Sequence, residues 1–163
     1  MQTEFTGLFA EIYGILHSGL SDVEAYVGYG HRFGKKILEL GSGTGRVLIP
    51  LARAEMQVTG VDVSDDMLGI CEHKLGNECP DTQKRIRLIK ADVIDLQLND
   101  VFDLIIAPCN LINCLTGPGE GLALLRSAKR HLKDGGVFIL DNSVPDISDM
   151  VRSDGVTMTY DFT

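Results

Sequence analysis

ILELGSGTGR, residues 37–46, runs from an apolar stretch straight into alternating glycines and then into helix-forming sequence. The pattern predicts a strand, a tight loop and a helix start. Gly41, Gly43 and Gly45 lack the Cβ atoms that would oppose a sharp turn and keep a ligand away from the N–H groups at the helix N-terminus. Such a loop suits a nucleotide-like ligand, although nucleotide folds of many functions and some plain turns share it.

Upstream, residues 3–17 place Phe5, Leu8, Phe9, Ile12, Tyr13 and Leu16 at three- and four-residue spacing, which predicts an amphipathic helix whose apolar face covers something. Ser21-Asp22 opens a second helix over Val23–Phe33, with Glu24 completing a capping-box pattern and Gly34 ending the helix. Downstream, residues 46–54 read as a crossover helix, with Pro50 disturbing it or lying near its first turn. A second strand over residues 57–61 runs into Asp62, and Ser64 caps a helix over Asp65–Leu75. Cys79-Pro80-Asp81 reads as a surface turn. Residues 85–90 alternate basic and apolar side chains like an edge strand and lead into Ala91-Asp92. Phe102–Ala107 is a buried strand ended by Pro108. A helix over residues 120–132 follows Gly117-Pro118-Gly119, residues 133–136 form its exit turn, and residues 137–140 are the fifth strand.

Strands separated by helices of this length imply an α/β fold, doubly wound around a mainly parallel sheet. The 163 residues fit a single domain, 1–163, able to bury its own core. In such folds the ligand lies at the carboxyl ends of the strands. The glycine loop, Asp62 and Asp92 collect there, after the first, second and third strands. A carboxylate about twenty residues beyond the loop is placed to accept hydrogen bonds from ribose hydroxyls. Each acid also fits the plainer role of a turn residue.

The net charge of −8 and pI near 4.9 argue against a nucleic-acid partner. Residues 1–20 carry Glu4 and Glu11 without a basic start, and no run of eighteen apolar residues occurs, so a soluble, cytoplasmic protein with no membrane partner is expected. Cys71, Cys79, Cys109 and Cys114 lack the paired spacing of zinc ligands, and the four histidines are scattered on helices, so no metal is expected. The thiols read as reduced and mostly buried. Cys109 has no sequence neighbour that marks an activating base. A dinucleotide loop would place a third glycine where Arg46 stands. Glu39, just before the loop, is a poor host for pyrophosphate and better suits a ligand bearing an ammonium group.

Glu39-Leu40-Gly41-Ser42-Gly43-Thr44-Gly45 resembles the E/D-x-G-x-G-x-G signature of the class I S-adenosylmethionine-dependent methyltransferases. VTGVDVSDDML (58–68), KADVIDL (90–96), FDLIIAPCNLINCL (102–115) and HLKDGGVFILD (131–141) resemble that family's later motifs in the same order. The resemblance implies a Rossmann-like core, S-adenosyl-L-methionine as cofactor, and in-line methyl transfer to nitrogen or oxygen of a small-molecule acceptor. It implies that Glu39 and the backbone of Gly41, Ser42 and Gly43 hold the amino-acid end of the cofactor, with Arg46 and Tyr13 near its carboxylate. Asp62 would meet the ribose and Met67 the adenine, whose edge Asp92 and the neighbouring backbone of Ala91 and Val93 would read, and Val63 and Pro108 would complete the cofactor-binding set. The acceptor would lie beyond the fourth strand, where Asn110 and Asn113 are candidates; His17 could reach it from the N-terminal helix. No catalytic residue is assigned. Ala107-Pro108-Cys109-Asn110 departs from the N-P-P-Y-type motif of base-modifying members, which disfavours a DNA substrate.

The resemblance implies a sheet that usually continues with two more strands. Residues 1–163 are expected to lack the usual last ones, either as a shortened sheet or as a fragment of a longer protein with its acceptor site incomplete. Residues 147–151 read as a helical turn and residues 157–162 as a strand that lies along the open edge or pairs with another copy, making a homodimer. The alternative to an enzyme is a cofactor-binding but inactive module acting through a protein partner.

Overall fold

A computed structural model of the chain describes residues 5–17 and 21–143. Its elements are α1 (Gly7–Leu16), α2 (Val23–Phe33), β1 (Lys36–Leu40), α3 (Leu48–Arg53), β2 (Gln57–Asp62), α4 (Asp65–Leu75), α5 (Pro80–Gln83), β3 (Ile86–Lys90), β4 (Phe102–Ala107), a 3-10 turn (Leu111–Cys114), α6 (Glu120–His131) and β5 (Leu132–Leu140). The five strands form one parallel sheet in the order β3-β2-β1-β4-β5. This is the expected doubly wound α/β architecture.

β1 is central and pairs with both β2 and β4. Its side chains alternate between two apolar layers, because successive residues of a strand face opposite sides. Ile37 packs with Tyr26, Leu48, Leu51, Leu104 and Ile106 on the side covered by α2 and α3. Leu38 and Leu40 pack with Val61, Ile105, Leu124 and Ala128 on the side covered by α6. Burial on both faces explains why the strand reads as a nearly unbroken apolar run. Each of these fully buried aliphatic side chains contributes about 1.5–3 kcal/mol relative to exposure.

Local details depart from the sequence reading in four places. The capping box at the start of α2 does not form: Asp22 occupies the cap position without a side-chain cap bond, since its carboxylate is drawn to Arg46. The crossover helix begins only at Leu48, so Pro50 falls in its first turn, where no intrahelical N–H is required. Cys79-Pro80-Asp81 is not a plain turn, because proline at the first helical position starts the short α5. Residues 133–136 lie within β5 as a bulge: from Phe102↔Leu132 to Leu104↔Val137, β4 advances two residues while β5 advances five, and Gly135 takes φ +75°.

β5 is the last strand of the sheet among the described residues. The expected segments at 147–151 and 157–162 lie outside them. Among the described residues no helix is long and apolar enough to cross a membrane.

Candidate functional site

The carboxyl ends of β1, β2 and β3 open onto one cleft, as a parallel sheet with this strand order requires. From the loop after β1 come Gly41 and Gly43; from β2 and the start of α4 come Asp62, Val63 and Met67; from the turn after β3 come Ala91, Asp92 and Val93. Gly43 has φ +51°, and a Cβ built there would meet nothing within 4 Å, so open space lies in front of this loop backbone. Gly45 has φ +79° and stands 2.6 Å, at the Cβ position, from Cys71 Sγ, so only glycine lets the loop settle onto α4.

Asp62 joins two of these segments. Its Oδ2 accepts from the Gly43 N–H at 2.7 Å and its Oδ1 from the Ser64 N–H at 2.9 Å. Burial pushes its carboxyl above the ordinary aspartate value, against the pull of the backbone N–H groups of Ser64, Gly43 and Val63. Ser64 caps α4 by accepting from the Met67 N–H at 3.2 Å, and its hydroxyl donates to the Phe5 carbonyl at 2.6 Å. The N-terminal segment is thereby strapped over the cleft. Asp92 Oδ1 accepts from the Ile94 N–H at 3.1 Å, which fixes the turn after β3.

Glu39 lies behind the loop, 2% exposed, with Oε2 lacking any hydrogen-bond partner. Burial raises its carboxyl well above the ordinary glutamate value; Arg46 opposes the shift, and Asp62 and Asp22 add to it. An orphaned buried carboxyl oxygen is costly, so this position calls for a donor, best a cationic one. Arg46 does not provide it. Its guanidinium donates to both oxygens of Asp22, at 2.5 and 2.9 Å.

Phe5 and Tyr13 close one side of the cleft, and Pro108, Cys109, Leu111, Cys114 and Leu115 close the other. Tyr13 Oη donates to Cys109 Sγ at 3.2 Å across this mouth. Burial, then Cys109, raises the Tyr13 phenol well above its ordinary value. His17 stacks on Tyr13 with ring centroids 4.0 Å apart, and its Nδ1 lies 2.9 Å from the Tyr13 carbonyl oxygen.

Of the residues singled out in the sequence, Tyr13, Gly41, Gly43, Asp62, Val63, Met67, Ala91, Asp92, Val93 and Pro108 line the cleft. Glu39, Ser42 and Arg46 do not reach its wall; Ser42 is 3% exposed and lies against Gly60 of β2. Asn110, Asn113 and His17 are also absent from the wall, and Asn110 Oδ1 is engaged by the N–H and hydroxyl of Ser143 at 2.5 and 2.9 Å. Phe5, Leu111, Cys114 and Leu115 line it without having been assigned to it. The spacing of Leu111, Cys114 and Leu115, one helical turn, was the available signal.

An all-parallel 3-2-1-4-5 sheet with a glycine loop and two acids at its strand tips defines the Rossmann-like class I methyltransferase architecture. Residues 38–138 match the family described as methyltransferase domain, and the chain belongs to that family. It is 31% identical over 154 residues to the cypemycin N-terminal methyltransferase of a Streptomyces species, covering 92% of this chain and 60% of that protein. Among solved structures, the CcbJ methyltransferase from Streptomyces caelestis superposes with a TM-score of 0.77 at 28% identity, covering 86% of this chain and 57% of the other. The glycopeptide N-methyltransferase MtfA, solved with S-adenosyl-L-homocysteine, gives 0.67 at 25% identity, covering 72% of this chain and 47% of the other. The chain thus spans about half the length of the relatives it matches.

Proposed function

We propose that the chain binds S-adenosyl-L-methionine in this cleft and transfers its methyl group to a nucleophile on a small-molecule acceptor, nitrogen before oxygen. The convergence of Gly43, Asp62 and Asp92 on one hollow carries the reading. Asp62 would take the ribose hydroxyls, Val63 and Met67 would flank the nucleoside, and Ala91, Asp92 and Val93 would read the adenine edge. Glu39, with its orphaned oxygen, and the backbone of the glycine loop would answer the ammonium end, and Tyr13, with Arg46 once released from Asp22, would serve the carboxylate. When bound, the cofactor supplies a methyl group made electrophilic by its sulfonium. The chain's own part is to hold that group in line with the acceptor and keep water away, for which the apolar mouth of Phe5, Leu111 and Leu115 is suited.

The preference for nitrogen rests on the mouth and on the relatives. Tyr13 and Cys114 both have pKa values pushed up by burial, so they keep their protons near neutrality and are poor general bases. An amine that arrives neutral needs no base, whereas an alcohol does. The glycopeptide enzyme named above is an N-methyltransferase, and the cypemycin enzyme is an N-terminal methyltransferase.

Calorimetric titration with S-adenosylhomocysteine and, separately, with a nicotinamide dinucleotide tests the cofactor. Binding of the dinucleotide alone would overturn the reading. Transfer of radiolabelled methyl into a panel of primary and secondary amines, against matched alcohols, tests the acceptor class.

A further inference from the structure

We propose that Asp141 is the positioning residue for the acceptor-side wall, acting through the bend at Cys109-Asn110. Cys109 and Asn110 follow β4 with φ +60° and +59°, two consecutive left-handed residues neither of which is glycine. Asparagine tolerates that region; cysteine does so poorly. A strained pair of this kind persists only when its surroundings hold it.

Asp141, one residue past β5, provides the hold. Its Oδ1 accepts from the Asn110 N–H at 2.9 Å. Its Oδ2 accepts at 2.6 Å from the hydroxyl of Tyr26, a residue of α2 that is 3% exposed. One carboxylate therefore ties the bend to the end of β5 and to a helix packed on the sheet.

Two contacts carry the bend's position to the cleft. Cys109 meets the Tyr13 hydroxyl at 3.2 Å. Leu111, the next residue but one, lies 2.8 Å from where a Cβ on Gly41 would stand, so it seats directly on the glycine loop. If the bend relaxed toward ordinary negative φ, the thiol would leave Tyr13 and Leu111 would lose its register on the loop. Calling this wall the acceptor side rests on the methyl-transfer reading above; the hold of Asp141 on the bend does not.

The test compares Asp141→Ala, Asp141→Asn, Tyr26→Phe and the double variant Asp141→Ala/Asn110→Gly. Alkylation of Cys109 by iodoacetamide, followed by peptide mass mapping, reads the bend, and calorimetry with S-adenosylhomocysteine reads the cofactor half of the cleft. Loss of a hydrogen bond from a charged acceptor predicts Cys109 labelling about tenfold faster in Asp141→Ala. Affinity for S-adenosylhomocysteine is expected to fall by less than the labelling rises, because the bend reaches the cofactor half of the cleft at second hand, through Leu111 on the glycine loop and through Tyr13. Asp141→Asn, which still accepts from Asn110 and can donate to Tyr26, is expected to label like the wild type. Glycine at 110 lowers the left-handed cost at that position and leaves the one at Cys109, so labelling in the double variant should return part of the way toward wild type. Unchanged labelling in Asp141→Ala, or no recovery in the double variant, overturns the proposal. Should Asp141→Ala fail to fold by circular dichroism, Tyr26→Phe decides: it frees one end of the carboxylate, and labelling no faster than Asp141→Asn overturns the proposal. Failure of the wild type to bind S-adenosylhomocysteine would sink the cofactor assignment while leaving the labelling result intact.

Discussion

The Gly43 N–H donates to Asp62 Oδ2 at 2.7 Å, so the acid at the tip of β2 holds the loop that follows β1. Asp62→Ala would remove both a loop anchor and a ribose partner. Affinity for S-adenosylhomocysteine is expected to fall by about ten- to a hundredfold, the worth of one or two hydrogen bonds to a charged group. Burial raises this carboxyl, so the ionised form that accepts hydrogen bonds is lost at higher pH than for an ordinary aspartate. Affinity should therefore weaken as pH falls toward the ordinary aspartate value, beginning above it. Calorimetry across that range checks it, and undiminished binding by Asp62→Ala would reduce the residue to a helix-start acid.

Glu39 gives the apoprotein a slope of its own. Its folded carboxyl has a raised pKa, so over the window above the ordinary glutamate value the folded state keeps a proton that the unfolded state has lost. Stability from this group is fully present below that value, is lost as pH rises through the window, and levels off once the folded carboxyl ionises. Glu39→Gln removes the slope: its melting temperature should exceed that of wild type above neutrality while its affinity for S-adenosylhomocysteine falls. Thermal melts at several pH values and calorimetry read both. Parallel melting curves for the two proteins would show that Glu39 ionises normally.

How much of this was legible beforehand depended on whether the cause was local. Helix α4 and strand β4 lie at the predicted bounds because capping at Ser64 and the stop at Pro108 are written in neighbouring residues. The cleft-lining role of Asp62 and Asp92 followed from strand ends alone. Arg46 finding Asp22, 24 positions away, depended on how α2 docks against the loop, and no spacing rule reports that. The bend at Cys109-Asn110 was hidden for a related reason: its left-handed backbone is imposed from Asp141, 31 residues beyond Asn110, and no glycine advertises it. The apolar stripe of α1 reads as a face that covers something, yet Leu8 is 72% and Phe9 46% exposed, and Ala10 is the residue of α1 that is buried. Periodicity finds a stripe; it does not supply what covers it.

The Arg46–Asp22 pair predicts opposite effects on binding from its two members. Side-chain exposures of 16% and 32% make the pair partly screened, so removing either partner should cost about 1 kcal/mol of stability, with a double variant losing less than the sum. The Arg46 fork holds the Asp22 carboxyl below the ordinary aspartate value. That stabilisation is complete above the ordinary value and fades as pH falls through the lowered one. If Arg46 also serves the ligand carboxylate, Asp22→Ala frees it and tightens S-adenosylhomocysteine binding, whereas Arg46→Ala weakens it. Equal affinities in both variants would confine Arg46 to holding α2.

The glycine loop separates a ligand-facing position from a packing position. At Gly43 an alanine Cβ enters open space, so Gly43→Ala carries only the left-handed penalty, about 1–2 kcal/mol, yet puts a methyl group where the cofactor would approach the backbone. At Gly45 the same Cβ would meet Cys71 Sγ at 2.6 Å and the Ile49 side chain at 3.2 Å, adding overpacking of about 1–3 kcal/mol to that penalty. Gly43→Ala is therefore expected to lose only a few degrees of melting temperature, fewer than Gly45→Ala, with affinity for S-adenosylhomocysteine reduced more than tenfold. Gly45→Ala should lose several degrees of melting temperature. Pairing it with Cys71→Ala, which clears the contact, should recover part of the loss that belongs to the clash, and only that part. A Gly43→Ala protein that binds as tightly as wild type would show that the ligand does not approach this stretch of backbone.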